Sequence, residues 1–246
     1  MGEKRLIRPW ETALIAVGGI SVPLLGSALV VWTIWLSDAR ALMGLGIGSS
    51  LVILTVGYAV YSVAPVDRPV TLASWVTLAR GSALIALSGF FFISLPDGGL
   101  IAWAPAVLFG LAAGLDGVDG QIARRRDAST PLGARLDGEM DALTVLFGSI
   151  LVVLAGLAHW GILTAGAAKY VFSGGIRWRE RRGLTVYDLD ENRLRKAIAA
   201  TFMLSVWIAL FPVTGTRVAY WMTGLATVPL LAHFLRDWLV VCGRWH

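Results

Sequence analysis

Cysteine and charge are both scarce in this sequence. Cys242 is the single cysteine, which excludes an internal disulfide framework and a cysteine metal cluster. Charged residues make up 15% of the chain and hydrophobic residues 57%, against about 25% and roughly 45–50% in soluble proteins. These values exclude a soluble globule, a coiled coil and a disordered chain. The 3 histidines are scattered, and the sequence has neither a His-x-Lys pair nor a Walker glycine loop, so covalent histidine chemistry and ATP hydrolysis are not expected.

Long apolar runs take the place of the missing charge. About 20 apolar residues cross a bilayer core of roughly 30 Å, and runs that are continuous rather than alternating favour helices over a β-barrel. The stretch 137–175 is about twice as long as one crossing needs, so we expect a helical hairpin that turns near 159–161. The sequence therefore predicts an all-α, polytopic membrane helix bundle. Its eight expected spans are 13–36, 41–66, 69–95, 98–115, the two halves of 137–175, 197–213 and 218–235.

The placement of lysine and arginine predicts the orientation. If eight spans put both termini on one side, 17 of the 21 basic residues fall on that side, and only Arg40 and Arg217 fall on the other. Basic residues collect in cytoplasmic loops. We therefore expect an integral protein of the cytoplasmic (inner) membrane, with its termini and basic loops in the cytoplasm. The net charge of +5 then reflects topology and membrane lipids, and no nucleic-acid partner is expected.

Four aspartates stand out beside the apolar spans. Asp116 and Asp119 are three residues apart, and Asp137 and Asp141 are four apart, so each pair shares a helix face. Carboxylates gathered at one point repel one another unless cations neutralise them. Hard oxygen ligands suit Mg²⁺ or Mn²⁺, and a site with two such ions stabilises displacement at phosphorus. The spacing predicts a two-metal site that acts on a phosphate ester.

The residues between 116 and 141 follow the pattern D-x2-D-G-x2-A-R-x8-G-x3-D-x3-D. This pattern resembles the signature of the class I, integral membrane CDP-alcohol phosphatidyltransferases. The resemblance implies a catalytic core of six helices at 67–246, preceded by an extension at 1–66 with two further transmembrane helices. It also implies a phospholipid-biosynthetic enzyme, a homodimer, that moves a phosphatidyl group from a CDP-linked lipid such as CDP-diacylglycerol to a small alcohol and releases CMP.

Residue roles follow from the same resemblance. Two Mg²⁺ or Mn²⁺ ions are expected on Asp116, Asp119, Asp137 and Asp141, with Asp141 also serving as the general base. The stretch 74–80 resembles the start of the family's first core helix, although Ser74 stands where the family usually has asparagine. The residues expected to bind the nucleotide are Gly120, Ala123, Arg124, Gly133, Thr77 and Arg80.

Basic residues between 177 and 196 are candidates for holding a phosphate of the acceptor alcohol. The candidates are Arg177, Arg179, Arg195 and Lys196. The same charges would also suit membrane topology and attraction to anionic headgroups, which need no binding site. As a phosphate site they favour an acceptor like glycerol 3-phosphate, with inositol phosphate and serine as alternatives.

A different class of function also fits intramembrane carboxylates, namely a cation or proton transporter. Transporter acids lie near the bilayer midplane, whereas these aspartates flank a loop that contains four arginines. That position favours an enzyme acting on a cytoplasmic nucleotide. Glu139 falls outside the signature and is expected to be solvated.

Overall fold

The computed structural model describes residues 38–63, 72–95, 98–114, 131–187, 189 and 193–244. Within these ranges the regular elements are seven helices, and no strand occurs. This agrees with the predicted all-α class. The helices are α1 (Ala39–Ser62), α2 (Leu72–Ser88), α3 (Leu100–Gly114, whose first turn is a 3₁₀ helix), α4 (Pro131–Leu154), α5 (Ile162–Arg181), α6 (Arg193–Ala209) and α7 (Thr216–Val241).

The expected hairpin is present between α4 and α5, because helix α4 ends at Leu154 and α5 begins at Ile162. Gly156 has a φ of 72°, a left-handed conformation that favours glycine. The Leu157 N–H donates to the Val152 carbonyl at 2.8 Å and the Gly156 N–H to the Val153 carbonyl at 3.0 Å. These two hydrogen bonds give the last carbonyls of α4 their partners, and the helix ends there.

Helix α1 packs closely against α2. It begins after Asp38, whose side chain accepts a hydrogen bond from the Arg40 backbone N–H at 2.9 Å. Gly44 lies so near the Ser88 carbonyl that a Cβ atom at position 44 would collide with it. Glycine is therefore required where the two backbones meet, as in other close helix pairs.

The described residues form two compact units. The first comprises the described parts of the chain up to Ser94 and of Val107–Thr144. Its buried side chains include Val52, Leu84, Leu87, Phe109 and Met140. The predicted boundary between an extension at 1–66 and a core at 67–246 stays a prediction.

The second unit comprises the described parts of Leu95–Ala106 and of Val145–His246. Helix α7 packs against both α5 and α6. The core contains Phe147, Leu151, Phe202 and Val206. An apolar groove of about 360 Å³ lies between α5 and α7, lined by residues that include Phe172, Gly175 and Trp238.

Two of the described helices, α1 and α7, are long and apolar enough to cross a membrane by length and composition. Large apolar side chains such as Leu54, Leu225 and Val228 are exposed along them, which is the surface expected against lipid. Helix α7 runs from Thr216 to Val241 and includes the whole expected span 218–235. The expected span 13–36 lies outside the described residues, so the count of eight spans stays a prediction.

Candidate functional site

Arg80 of α2 is the centre of a polar cluster in the first unit. Its side chain is fully buried. Nη1 donates to Asp137 Oδ1 at 2.9 Å, Nη2 donates to Asp141 Oδ1 at 2.5 Å, and Nε donates to the Ala112 carbonyl at 2.9 Å. The planar guanidinium is suited to this task because its donors form a rigid fork. Arg80 thus joins three helices through one side chain.

Asp137 and Asp141 lie one turn apart on α4, as their spacing predicts. Their side chains are 40% and 39% exposed, although the arginine behind them is 0% exposed. A buried cation therefore holds two carboxylates that still reach the surface. Because hydrogen bonds to charged groups are stronger than neutral ones, the orientation of both carboxylates is well defined.

The carboxylates of α4 fit the donor chemistry expected of a divalent metal site. Both present oxygen, the ligand that Mg²⁺ and Mn²⁺ prefer. A carboxylate has about four lone-pair sites, so a bond to Arg80 is compatible with coordination of a cation by the same group. Asp116 and Asp119 lie outside the described residues. Among the residues that are described, no group of three or more His, Cys, Asp or Glu could hold a metal.

The residues expected to bind the nucleotide are only partly described. Gly133 lies on α4 one turn before Asp137, on the face that the spacing predicts. Thr77 is 2% exposed, and Arg80 has the partners given above. Nucleotide binding by these three stays a prediction. The others, Gly120, Ala123 and Arg124, lie outside the described part of the chain.

Glu139 corrects an expectation, because it is buried rather than solvated. Its Oε1 atom lies 3.0 Å from Nη2 of Arg135, which also donates to the Tyr58 hydroxyl at 3.0 Å. The Arg135 guanidinium lies 5.2 Å from the centre of the Tyr58 ring. Spacing of four residues indicates the pair on α4, but Tyr58 on α1 is distant in sequence and was missed.

The candidates for an acceptor phosphate lie at the end of α5 and the start of α6. Arg177 and Lys196 are exposed. Arg179 donates from Nη2 to the Thr185 carbonyl at 2.8 Å and from Nη1 to Cys242 Sγ at 3.3 Å. It therefore ties the segment after α5 to the end of α7.

Arg195 has a partner that sequence reasoning missed. Its Nη1 atom lies 3.6 Å from Oδ2 of Asp237, which is buried on α7. His233, one turn earlier on the same helix, is also buried. An acid within a membrane helix is a signal for function, but the predicted span ended at 235 and placed Asp237 outside it.

Comparison with known proteins identifies the family. A family model described as CDP-alcohol phosphatidyltransferase matches residues 70–236. The chain is 45% identical over 99 residues to a phosphatidylinositol phosphate synthase of Corynebacterium glutamicum, covering 39% of this chain and 44% of that protein. It is 26% identical over 202 residues to a cardiolipin synthase (CMP-forming) of Oryza sativa subsp. japonica, covering 72% of this chain and 60% of that protein.

The chain thus spans about half the length of the curated relatives it matches. No solved structure matches it. The match at 70–236 covers more than half of the chain and includes the whole aspartate signature. On these grounds the chain belongs to the CDP-alcohol phosphatidyltransferase family.

Proposed function

We propose that this protein transfers a phosphatidyl group from CDP-diacylglycerol, or a similar CDP-linked lipid, to the hydroxyl of a small phosphorylated alcohol, releasing CMP. The proposal rests chiefly on one observation. Asp137 and Asp141 are held side by side by a buried arginine while their carboxylates remain about 40% exposed. Acidic side chains next to membrane-spanning segments are a signal for function.

The reaction needs a base and a leaving group. The hydroxyl oxygen of the acceptor forms a bond to the phosphorus that carries the lipid. The bond from that phosphorus to the bridging oxygen of the diphosphate breaks, and CMP leaves with the bridging oxygen. In this proposal Asp141 accepts the hydroxyl proton, because general base catalysis requires a carboxylate within hydrogen-bond reach of the attacking oxygen.

Arg80 would act on the reaction through Asp137 and Asp141. Its bonds to both carboxylates keep Asp141 aimed at one place and offset part of their mutual repulsion. Two Mg²⁺ or Mn²⁺ ions on Asp116, Asp119, Asp137 and Asp141 would supply positive charge to the diphosphate and to the leaving CMP. Gly120, Ala123 and Gly133 would lie along the nucleotide, with Arg124 near its phosphates.

The acceptor is proposed from the basic residues of the second unit. Arg177, Arg179, Arg195 and Lys196 offer positive charge at helix ends, where a phosphate could bind through charge-assisted hydrogen bonds. Glycerol 3-phosphate and inositol phosphate both fit. The relative named phosphatidylinositol phosphate synthase supports an acceptor that carries a phosphate.

The test is CMP release by the purified protein. The protein in vesicles or detergent is given CDP-diacylglycerol, Mg²⁺ or Mn²⁺, and one alcohol at a time: glycerol 3-phosphate, inositol phosphate, inositol, glycerol or serine. We expect CMP and a new lipid only with a phosphorylated alcohol, and neither from an Asp137→Asn control. Transfer to serine alone would overturn the proposed acceptor class, and no transfer to any alcohol would overturn the activity.

Orientation and assembly are also proposals. We infer cytoplasmic termini and basic loops from the distribution of arginine and lysine, and a homodimer from the family. Thr185→Cys in a Cys242→Ser background should be labelled by a membrane-impermeant thiol reagent only after the cell membrane is permeabilised. Labelling of intact cells would reverse the orientation. The mass of the protein in detergent, by light scattering, tests the dimer.

A further inference from the structure

Asp237 is an unusual residue for its position. It lies near the end of α7, a helix apolar enough to cross a membrane, and its side chain is only 11% exposed. A buried carboxylate costs several kcal/mol unless it is paired. It also follows directly after the stretch 70–236 that the family model matches. The aspartate signature therefore gives no account of it.

Two neighbours pair with this carboxylate, one at each oxygen. Arg195 of α6 has Nη1 at 3.6 Å from Oδ2, and His233 of α7 has Nε2 at 3.6 Å from Oδ1. His233 is 7% exposed, and its Nε2 atom has no hydrogen-bond partner among the described residues. His233 thus lies beside one oxygen of the Asp237 carboxylate, and Arg195 lies beside the other.

Exposure is distributed unequally within this pair. The side chain of Arg195 is 38% exposed and that of Asp237 is 11% exposed. Arg195 lies in the first turn of α6, which packs against α7. A fixed anion thus stands behind an arginine whose side chain reaches the surface. An arginine left unsupported would have many rotamers, and holding it in one of them lowers the entropic cost of binding a phosphate.

We propose that Asp237, with the buried His233 beside it, is a positioning residue that orients Arg195 toward the phosphate of the acceptor alcohol. The proposal rests on the function proposed above. It adds a source of specificity. By orienting Arg195, a carboxylate outside the signature favours phosphorylated over unphosphorylated acceptors. Asp237 acts only through Arg195 and touches neither substrate.

A double-mutant cycle tests this coupling. Wild type, Asp237→Asn, Arg195→Gln and the double variant are compared for CMP release, with each substrate varied in turn at a saturating level of the other. We expect Asp237→Asn to raise the KM for the phosphorylated alcohol about tenfold, the scale of a coupling between two residues in contact, because Arg195 loses the ion pair that orients it. The KM for CDP-diacylglycerol and kcat should change less than about threefold.

In the Arg195→Gln background the same substitution should have no further effect, because Asp237 then has no arginine to orient. Asp237→Glu, which keeps the charge, should recover part of the loss. A purely structural role would instead lower the yield or Tm and change kcat or both KM values together. Independent, multiplying effects of the two substitutions would overturn the proposal.

Two controls keep the outcomes separate. If Asp237→Asn does not fold, Asp237→Glu and His233→Gln are measured for the same split between the two KM values, and an unchanged acceptor KM in both contradicts the proposal. Wild-type protein that releases no CMP with any phosphorylated alcohol rejects the proposed function itself. Wild-type activity with an unchanged acceptor KM in the variants rejects only the role of Asp237.

Discussion

The two units each contain an arginine–aspartate cluster. In one cluster the arginine is buried, and in the other the aspartate is buried. In the first, Arg80 is 0% exposed, while Asp137 and Asp141 are 40% and 39% exposed. In the second, Asp237 is 11% exposed and Arg195 is 38% exposed. The buried member has the opposite charge in each case. One cluster offers negative charge at its surface and the other offers positive charge.

This inversion indicates what each cluster can bind. A buried charge needs a partner, and the partner is then held in one orientation at the surface. Carboxylates presented in this way suit cations, and a guanidinium presented in this way suits a phosphate. In the proposed function, the first cluster would serve the metal and the second would serve the phosphate of the acceptor alcohol.

Removal of divalent metal should have the largest effect, and it should act on the first cluster. We expect an excess of EDTA to reduce CMP release to background, because four carboxylates cannot coexist at the proposed site without cations. Readdition of Mg²⁺ or Mn²⁺ should restore it. Full activity in EDTA would mean that the exposed carboxylates do not serve a metal.

Asp141→Asn should separate the base from the ligands. The amide keeps the shape and one oxygen but cannot accept the proton, so we expect transfer to fall by a factor of at least ~10² with metal binding largely kept. Asp137→Asn should weaken metal binding itself. Calorimetric titration of Mn²⁺ into each variant, beside its rate of CMP release, makes the comparison. A near wild-type rate for Asp141→Asn would remove it as the base.

Arg80→Lys tests whether the buried arginine sets the orientation of the exposed carboxylates of Asp137 and Asp141. Lysine keeps the charge but cannot form the three bonds to Asp137, Asp141 and the Ala112 carbonyl with a rigid fork. We expect kcat to fall about tenfold, with a smaller change in the KM for the acceptor. The matched change at the other cluster, Arg195→Lys, should raise the acceptor KM and leave kcat nearly unchanged. If both variants changed kcat and the acceptor KM in the same way, the two clusters would not have the different roles proposed for them.

Tyr58→Phe should have the smallest effect. The substitution removes the hydrogen bond to Arg135 and keeps the ring under its guanidinium. We expect a loss of about 1 kcal/mol of stability, measured as a lower Tm in detergent, and a change in transfer rate below about twofold. A large loss of activity would show that this contact acts on the neighbouring Asp137.

Local patterns in the sequence predicted much of the fold and part of the candidate site. The length of the stretch 137–175 predicted the hairpin, and the spacing of Asp137 and Asp141 placed both on one face of α4. The partners of these residues come from distant parts of the chain, so spacing could not reveal them. Glu139 shows this limit, because spacing indicates its partner Arg135 on α4 but not Tyr58 of α1, which also contacts Arg135.

The surroundings of Asp237 could not be predicted for a related reason. Arg236 and Asp237 look like the polar boundary of a span when charges are counted along the chain. The structure pairs Asp237 with Arg195 of another helix, which offsets its charge within an apolar helix. Hydropathy counts each charge alone and cannot register such a pairing.

The close backbone contact between Gly44 of α1 and Ser88 of α2 makes α1 difficult to remove from the rest of the protein. Backbone contact of this kind leaves no room for sliding or rotation, and the same helix supplies Tyr58 to Arg135. A shortened protein that starts at 67 would lack the α1 side chains Leu45 and Val52, which lie against Gly89 and Gly81 of the following segment. The first compact unit therefore includes α1, and the smallest active fragment is expected to retain this helix together with its cap at Asp38.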